Sequence, residues 1–307
     1  MARVSVIMNI RDGEAYLREA LDSVRAQTFA DWELVAWDDR SVDDSAKIVA
    51  AYADKRIRYF LSPEATPLGR ARELAIRQAG GEWLAFLDQD DIWLPRKLEK
   101  QLALVADGPE NIGIVYGRTV AFDVHGREQD YDHWHEFRPL PEGDIFGELI
   151  TSSGFIAFSS AMFRRSAYEQ IGGIPRECQL IPDYHLSLAV ARLSPARAVQ
   201  EIVCRYRVHP ASMSHTIRRR IIEEAVWMLD QWAHCVDPRL LVHRHRIFQT
   251  LLALEEMGRF HTASHGISRL LRQGSVGYLA SRPFVRGFRA LRRRLQRPYW
   301  KGCNLPG

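Results

Sequence analysis

The sequence predicts an α/β protein: a mainly parallel sheet flanked by helices, followed by a helical, Arg-rich C-terminal region. Three observations predict it. Apolar runs alternate with stretches of helical spacing from Val4 to Leu87. Those runs are near-continuous, as in parallel strands buried on both faces. Two of them end in aspartate clusters, at the carboxyl ends where such sheets bind ligands.

Each element has its own signal. Val4 to Met8 reads as a buried strand, and residues 14–27 follow with Ala15, Leu17, Ala20, Leu21 and Val24 at helical spacing. Leu34 to Trp37 is a second strand and runs into Asp38-Asp39. Asp43 or Asp44 is placed to cap a helix through Ile48, Val49 and Tyr52. Ile57 to Leu61 is a third strand, and residues 67–79 form a helix stopped by Gly80-Gly81. Trp83 to Leu87 is the fourth strand and leads into Asp88-Gln89-Asp90-Asp91, with a helix beginning near Leu94. From about residue 112 the pattern changes: a strand over Ile112 to Phe122, a polar loop over Tyr131 to Phe137, and an apolar stretch from Phe155 to Phe163. A helix over 183–193, a strand over Ile202 to Val208 and helix throughout 217–300 complete the reading.

Composition narrows the class. A chain of 307 residues, 46% hydrophobic and 26% charged, suits one large folded domain with an appendage. No apolar run approaches the length of a membrane span, and Val4 to Met8 is too short for a signal-peptide core. Cys178, Cys204, Cys235 and Cys303 are widely spaced, which argues against a disulfide framework or a Cys-based zinc site and fits a reducing cytoplasm. Beyond Glu256 there are eleven Lys and Arg residues and no carboxylate. Residues 1–256 therefore hold all 38 acidic side chains and a net charge of −7, against +4 for the whole chain. The two parts are expected to have different partners.

The acidic clusters carry the chemistry. Three carboxylates in four residues repel one another unless a cation sits among them, and hard oxygen ligands select Mg²⁺ or Mn²⁺ with a diphosphate completing the shell. Alternatively, Asp90 or Asp91 caps the following helix. Asp38-Asp39 at a neighbouring strand end can accept hydrogen bonds from a base or a ribose. Together the two clusters make a nucleotide site.

At the level of motifs, residues 3–215 resemble family 2 glycosyltransferases with a GT-A fold. Gln27-Thr28-Phe29 before Trp32-Glu33-Leu34, Asp38-Asp39-Arg40-Ser41-Val42-Asp43-Asp44-Ser45 and the segment Gly81 to Pro95 carry the resemblance. So do Phe163-Arg164-Arg165-Ser166, Gly172-Gly173, Pro182-Asp183-Tyr184-His185-Leu186 and Tyr206-Arg207-Val208-His209. It implies a nucleotide-sugar-binding half over about 1–110, an acceptor half over about 111–215, and a separate region from 216 to 307. It also implies roles. Asn9, Arg11, Asp38, Asp39, Arg72 and Asp88 would bind the nucleotide-sugar. Asp90, Asp88 and His209 would hold Mn²⁺ or Mg²⁺, and Asp183 would be the general base of an inverting displacement.

Each role has a plainer competitor. Asp183 after Pro182 suits a helix cap, His209 before Pro210 suits a loop, and a solvated helix face explains Arg72 better than phosphate binding. His133 and His135 beside Trp134 read as an acceptor-side loop rather than a metal site. Three departures from the family pattern surround the base pocket: Asn9 stands for the usual Pro, Arg11 for an aromatic, and Arg40 for the Gly of DDGS, where the backbone normally exploits glycine. The donor base is therefore open among UDP, dTDP and GDP sugars.

The resemblance implies transfer of one sugar to a hydroxyl of a glycan or lipid-linked saccharide, in cell-envelope polysaccharide assembly. Processive relatives carry a QxxRW motif and membrane spans, and this sequence shows neither. In the tail, Phe284, Phe288, Leu291 and Leu295 form an apolar stripe flanked by Arg286, Arg289, Arg292, Arg293 and Arg294. That suits an anionic membrane surface on the cytoplasmic side, or packing on the catalytic domain; no nucleic-acid module is present. Two rivals remain: a sugar-phosphate nucleotidyltransferase, for which Asn9 to Gly13 is a poor phosphate loop, and a sugar-nucleotide-binding scaffold without catalysis.

Overall fold

A computed structural model describes residues 2–129, 139–151, 155–213 and 217–238, with 241, 242, 244 and 248. The elements are β1 (Val4–Ile10), α1 (Leu17–Arg25), β2 (Trp32–Asp38), α2 (Ser45–Ala50), β3 (Ile57–Leu61), α3 (Leu68–Gln78), β4 (Trp83–Phe86) and β5 (Ile92–Trp93). They continue with α4 (Lys97–Ala106), β6 (Ile114–Asp123), β7 (Glu128–Gln129), α5 (Phe146–Thr151), β8 (Met162–Arg164), α6 (Arg165–Gln170), α7 (Pro182–Leu193), β9 (Ala196–Val208) and α8 (Arg218–Gln231). One compact unit runs to Thr216 and a second begins at Ile217. The HxH stretch and the Arg-rich tail read from the sequence lie outside the described residues.

The sheet runs β3-β2-β1-β4-β8-β6-β9-β5, with β7 on β6. The predicted parallel arrangement holds for β3-β2-β1-β4 and for β6 on β9; β8 pairs antiparallel with both β4 and β6, so the sheet as a whole is mixed. Parallel pairing puts the carboxyl ends of β1, β2 and β4 on one edge. Val4, Val6, Met8 and Ile10 of β1 share a core with Leu17, Leu21 and Val24 of α1, Ile48 and Val49 of α2, and Leu98 and Leu102 of α4. Alternate strand residues face the opposite side, and α3 lies along β1 and β2.

Several boundaries differ from the sequence reading. β9 begins at Ala196 rather than Ile202, and its register on β6 shifts around Arg118. The apolar stretch 155–163, to which the sequence reading assigns no element, holds a short 3₁₀ turn (Phe158–Ser160) that leads into β8. The helix after the second acidic cluster starts at Lys97, with Arg96 in the capping position, so neither Asp90 nor Asp91 caps it. Asp44 holds the cap position of α2 without a side-chain bond, while Asp43 Oδ1 accepts the Ser45 N–H. Cys178, Cys204 and Cys235 are buried and form no disulfide.

Two features generate tests. A Cβ at Gly69 would lie 1.8 Å from the main-chain oxygen of Cys178, in the segment that leads into α7. Backbone cannot yield as a side chain does, so Gly69→Ala should lower unfolding free energy by about 2 kcal/mol, read as a drop in urea midpoint. Lys97 is wholly buried; its Nζ donates to Gln101 Oε1 at 2.7 Å and sits 4.0 Å from the Trp93 ring centre. Burial pushes the ammonium down to about 7, with the Cys204 thiol opposing. Between that value and the ordinary lysine value the unfolded chain binds a proton that the native state lacks. Stability therefore rises with pH across this window and is lowest below it. Lys97→Met lacks that rise, so the wild-type-minus-mutant difference in urea midpoint should grow from pH 7 to pH 10.

Candidate active site

The carboxyl edge of β1, β2 and β4 collects most of the residues singled out from the sequence. Asp38 ends β2 and is 1% exposed. Its Oδ1 accepts the Ser41 N–H at 2.7 Å and its Oδ2 accepts the Tyr59 hydroxyl at 2.8 Å. Asp38 thus shapes the turn, and both its oxygens are engaged within the protein. Arg40 in that turn has φ +67°, the left-handed conformation that the family's glycine adopts without strain. Asp39 accepts from Thr66 N and Oγ1 at 2.9 and 3.1 Å, and from Arg11 Nη1 at 3.0 Å. Asn9 stands one residue before the end of β1, and its buried Nδ2 has no hydrogen-bond partner among the described residues.

The second acidic cluster divides by role. Asp91 is buried and structural: its Oδ2 accepts the Ser159 hydroxyl at 2.5 Å and its Oδ1 accepts the Arg207 N–H at 2.9 Å. Burial pushes its carboxyl well above the ordinary range, with Asp90 and Asp88 adding to it. Asp90 Oδ2 lies 2.8 Å from His209 Nε2, and the His209 ring sits against Tyr16 with centroids 4.9 Å apart. Asp88 Oδ1 accepts from Arg72 Nη2 at 2.7 Å.

Arg72 corrects the sequence reading. It does not lie on a solvated face: it is 5% exposed and stacks on Phe158 at 4.4 Å while it holds Asp88. The corner that encloses Asp88 raises its carboxyl first, Asp90 and Asp183 raise it further, and Arg72 opposes them. Because 40% of the Asp88 side chain remains open, water screens part of that effect. Asp183 is in the first turn of α7, whose cap position is Ile181, so Asp183 is not the capping residue. Its charge raises the Asp88 carboxyl, so the two carboxylates are electrostatic neighbours.

Asp88, Asp90 and His209 do not form a ready-made ligand cluster; among the described residues no three His, Cys, Asp or Glu side chains do. Asp88 is turned to Arg72 and Asp90 to His209. The sequence reading also missed Thr66, Tyr16 and Gln89. Gln89 lay inside the acidic motif, but only the carboxylates drew attention there.

The profile of Glycosyl transferase family 2 matches residues 5–172. The chain belongs to glycosyl transferase family 2. An uncharacterized glycosyltransferase of Rickettsia felis is 29% identical over 216 residues, covering 70% of this chain and 35% of the relative. A protein of Escherichia coli named UDP-Glc:alpha-D-GlcNAc-diphosphoundecaprenol beta-1,3-glucosyltransferase WfgD is 38% identical over 114 residues, 37% of this chain and 44% of that one. The match thus spans between a third and a half of these relatives' lengths. Among solved structures, S. aureus TarS 1-349 in complex with UDP-GlcNAc aligns with TM-score 0.63 and 18% identity over 87% of this chain and 75% of that one. The mannosyltransferase PcManGT from Pyrobaculum calidifontis, in complex with GDP-Man and Mn²⁺, gives 0.61 and 19% over 92% and 82%. At such identities these likenesses establish the GT-A fold. The chain is a family 2 member of that fold.

The Arg72–Asp88 pair supplies a test on this enzyme. Arg72→Met preserves the stacking bulk on Phe158 and leaves Asp88 facing two other carboxylates without a cation. Glycosyl transfer should fall about tenfold in kcat/KM or more, near 1.4 kcal/mol, while the circular-dichroism spectrum stays native.

Proposed function

We propose that this glycosyltransferase is metal-dependent and inverting. It moves one sugar from a nucleotide-diphosphate donor to a hydroxyl of a glycan or lipid-linked acceptor, in cell-envelope polysaccharide synthesis. The observation that carries the reading is the grouping of these side chains: the Asp90–His209 contact at 2.8 Å, and an Asp88 carboxyl that the charges of both Asp90 and Asp183 raise.

Asp39 takes the base and ribose end of the donor, with Arg11 and Asn9 beside it. Asp88 and Asp90, with the His209 imidazole, suit a divalent cation. Their donors are hard oxygens and one nitrogen; burial raises Asp88 most, and the carboxylate repulsion that adds to it is the kind a cation relieves. When bound, Mn²⁺ or Mg²⁺ supplies charge neutralisation for the departing diphosphate. Arg72 keeps Asp88 oriented, and Tyr16 backs the His209 ring.

Asp183 serves as general base. Its carboxylate accepts the proton of the acceptor hydroxyl as that oxygen attacks the anomeric carbon from the side opposite the leaving group. One displacement inverts the anomeric centre, so the chain needs no nucleophile of its own. In this division residues 1–110 hold the donor and 111–215 the acceptor, with 216–307 as an accessory region.

Solved neighbours are titled as complexes with UDP-GlcNAc and with GDP-Man, which supports a nucleotide-sugar donor without choosing among UDP, dTDP and GDP. The Escherichia coli relative's name specifies a diphosphoundecaprenol acceptor, and that supports a lipid-linked one here. No described helix is long and apolar enough to cross a membrane. The Arg-rich sequence after Glu256 offers peripheral attachment to an anionic cytoplasmic surface as the route to such an acceptor.

The test is Asp183→Asn in the full chain with Mn²⁺. Donor binding by calorimetry should stay within about threefold of wild type, while transfer falls by about 100- to 10,000-fold. Turnover at the wild-type rate would remove Asp183 as the base.

A further inference from the structure

The loop after β1 is gripped from both sides. Toward β2, Arg11 Nη1 donates to the main-chain oxygen and to Oδ2 of Asp39, each at 3.0 Å. Toward β4, the Gln89 carboxamide faces the Arg11 main chain. Arg11 N donates to Gln89 Oε1 at 2.8 Å, and Gln89 Nε2 donates to Arg11 O at 2.9 Å. The ladder between β1 and β4 closes with Ile7 opposite Phe86 and the Leu87 N–H on Ile7 O. Beyond it, a side chain takes over the two-point pairing that main chain makes within the sheet. A Cβ on Gly13 would lie 2.4 Å from Gln89 Oε1, so the missing side chain at Gly13 is what leaves the carboxamide its room.

The chemistry of this position is narrow. Pairing with both N–H and C=O of one residue requires a donor and an acceptor side by side on the same planar group, and at neutral pH a carboxamide offers both without a proton to gain or lose. A glutamate would turn an oxygen onto Arg11 O, and a lysine would lose the acceptor for Arg11 N. The residue is also the middle of Asp88-Gln89-Asp90, so its main chain moves with the acidic corner.

Resting on the reading of this crevice as the donor site, we propose that Gln89 is a positioning residue that fixes Arg11 at the nucleobase pocket and so makes base selection depend on the acidic corner. The Arg11 side chain is 54% exposed; Ile10 O and Asp12 N on either side are tied to Asp39 N and Ser41 Oγ, and Gln89 is what holds the N–H and C=O of Arg11 itself. A pinned main chain lowers the ordering cost when the guanidinium meets the acceptor edge of a base. Arginine forks discriminate bases through carbonyl and ring-nitrogen acceptors, which differ between uracil and guanine. Loosening Arg11 therefore weakens and levels base recognition while leaving the diphosphate contacts in place.

Two variants test this in the full chain with Mn²⁺. Gln89→Met keeps the length and removes both hydrogen bonds. Gly13→Ala leaves Gln89 in the chain and crowds its Oε1. Calorimetry on UDP, GDP and inorganic pyrophosphate gives the readout. Both variants should bind pyrophosphate within about twofold of wild type. The preferred nucleoside diphosphate should bind about tenfold more weakly, the size of losing one or two neutral hydrogen bonds, and the UDP-to-GDP affinity ratio should move toward one. An unchanged ratio in both variants overturns the proposal. So does equal loss for pyrophosphate and nucleotide, which would mean that Gln89 acts on the acidic corner alone, and so does a wild type that binds UDP and GDP equally. If Gln89→Met does not fold, Gly13→Ala decides by the same criteria. A wild type that binds neither nucleotide sinks the donor-site reading itself, a separate outcome from an unchanged ratio.

Discussion

Arg207 holds the acidic corner to the far half of the sheet, and the site depends on that attachment. Its main-chain N–H donates to Asp91 Oδ1 and its Nε to the main-chain oxygen of Asp90, each at 2.9 Å. Its guanidinium lies between the rings of Tyr16 at 4.4 Å and Phe122 at 4.5 Å. Glu19 Oε2 approaches Nη2 to 3.0 Å, although that nitrogen lacks the alignment of a hydrogen bond, so the contact is better counted as charge pairing. One side chain, 5% exposed, thereby joins α1, the loop after β4, β6 and β9. Lysine could not replace it: the stacking needs a planar cation, and Nε must donate in a fixed direction.

The same corner explains why so many cations are buried in an acidic body. Asp88, Asp90 and Asp91 crowd one corner, with the Asp183 charge acting on Asp88, and each enclosed carboxylate needs a donor or a cation. Arg72 serves Asp88, His209 serves Asp90, and Ser159 with the Arg207 N–H serves Asp91. These partners come from α3, the loop after β9, the 3₁₀ turn before β8, and β9 itself. The corner is therefore assembled from residues far apart in the chain, and its set of partners is complete only with β9 in place beside β6.

What was legible in the sequence follows from this division of labour. Strands buried on both faces leave a local mark, so β1, β2 and β4 were readable from their apolar runs, and β2 and β4 ended where the aspartates stand; β3 was readable as well, although it is an edge strand with Tyr59 and Leu61 exposed. Arg40 was readable as a departure, because a residue in the glycine slot of a tight turn has to take up its φ of +67°. Long-range partners leave no local mark. Arg72 sits among the buried positions Ala71, Ala75 and Ile76 of α3. Its charge suggested water, and only the fold shows Asp88 and Phe158 waiting for it. The first half of β9 was missed because Gln200 and Glu201 interrupt its apolar pattern. Asp38 reads as a nucleotide-binding residue from its place at a strand end; that its oxygens accept from Ser41 and Tyr59 leaves no mark in the sequence.

The strand order gives the crevice its position. From β1 the chain moves outward to β2 and β3, then returns to add β4 on the other side of β1. Loops leaving neighbouring strands on either side of such a reversal diverge, and the gap between them is where open sheets bind ligands. Here that gap is the loop 11–13, between Asp39 at the end of β2 and the acidic corner after β4. A gap of this kind has no main-chain ladder to define its width. Arg11 reaches across one side and Gln89 across the other, and Asp12, with φ +49°, ties its carboxylate to the Val42 N–H. The opening is thus set by side chains rather than by the sheet. Substitutions in those side chains can retune what enters the pocket while the strands beneath, packed around Trp32, Trp83 and Trp93, stay as they are.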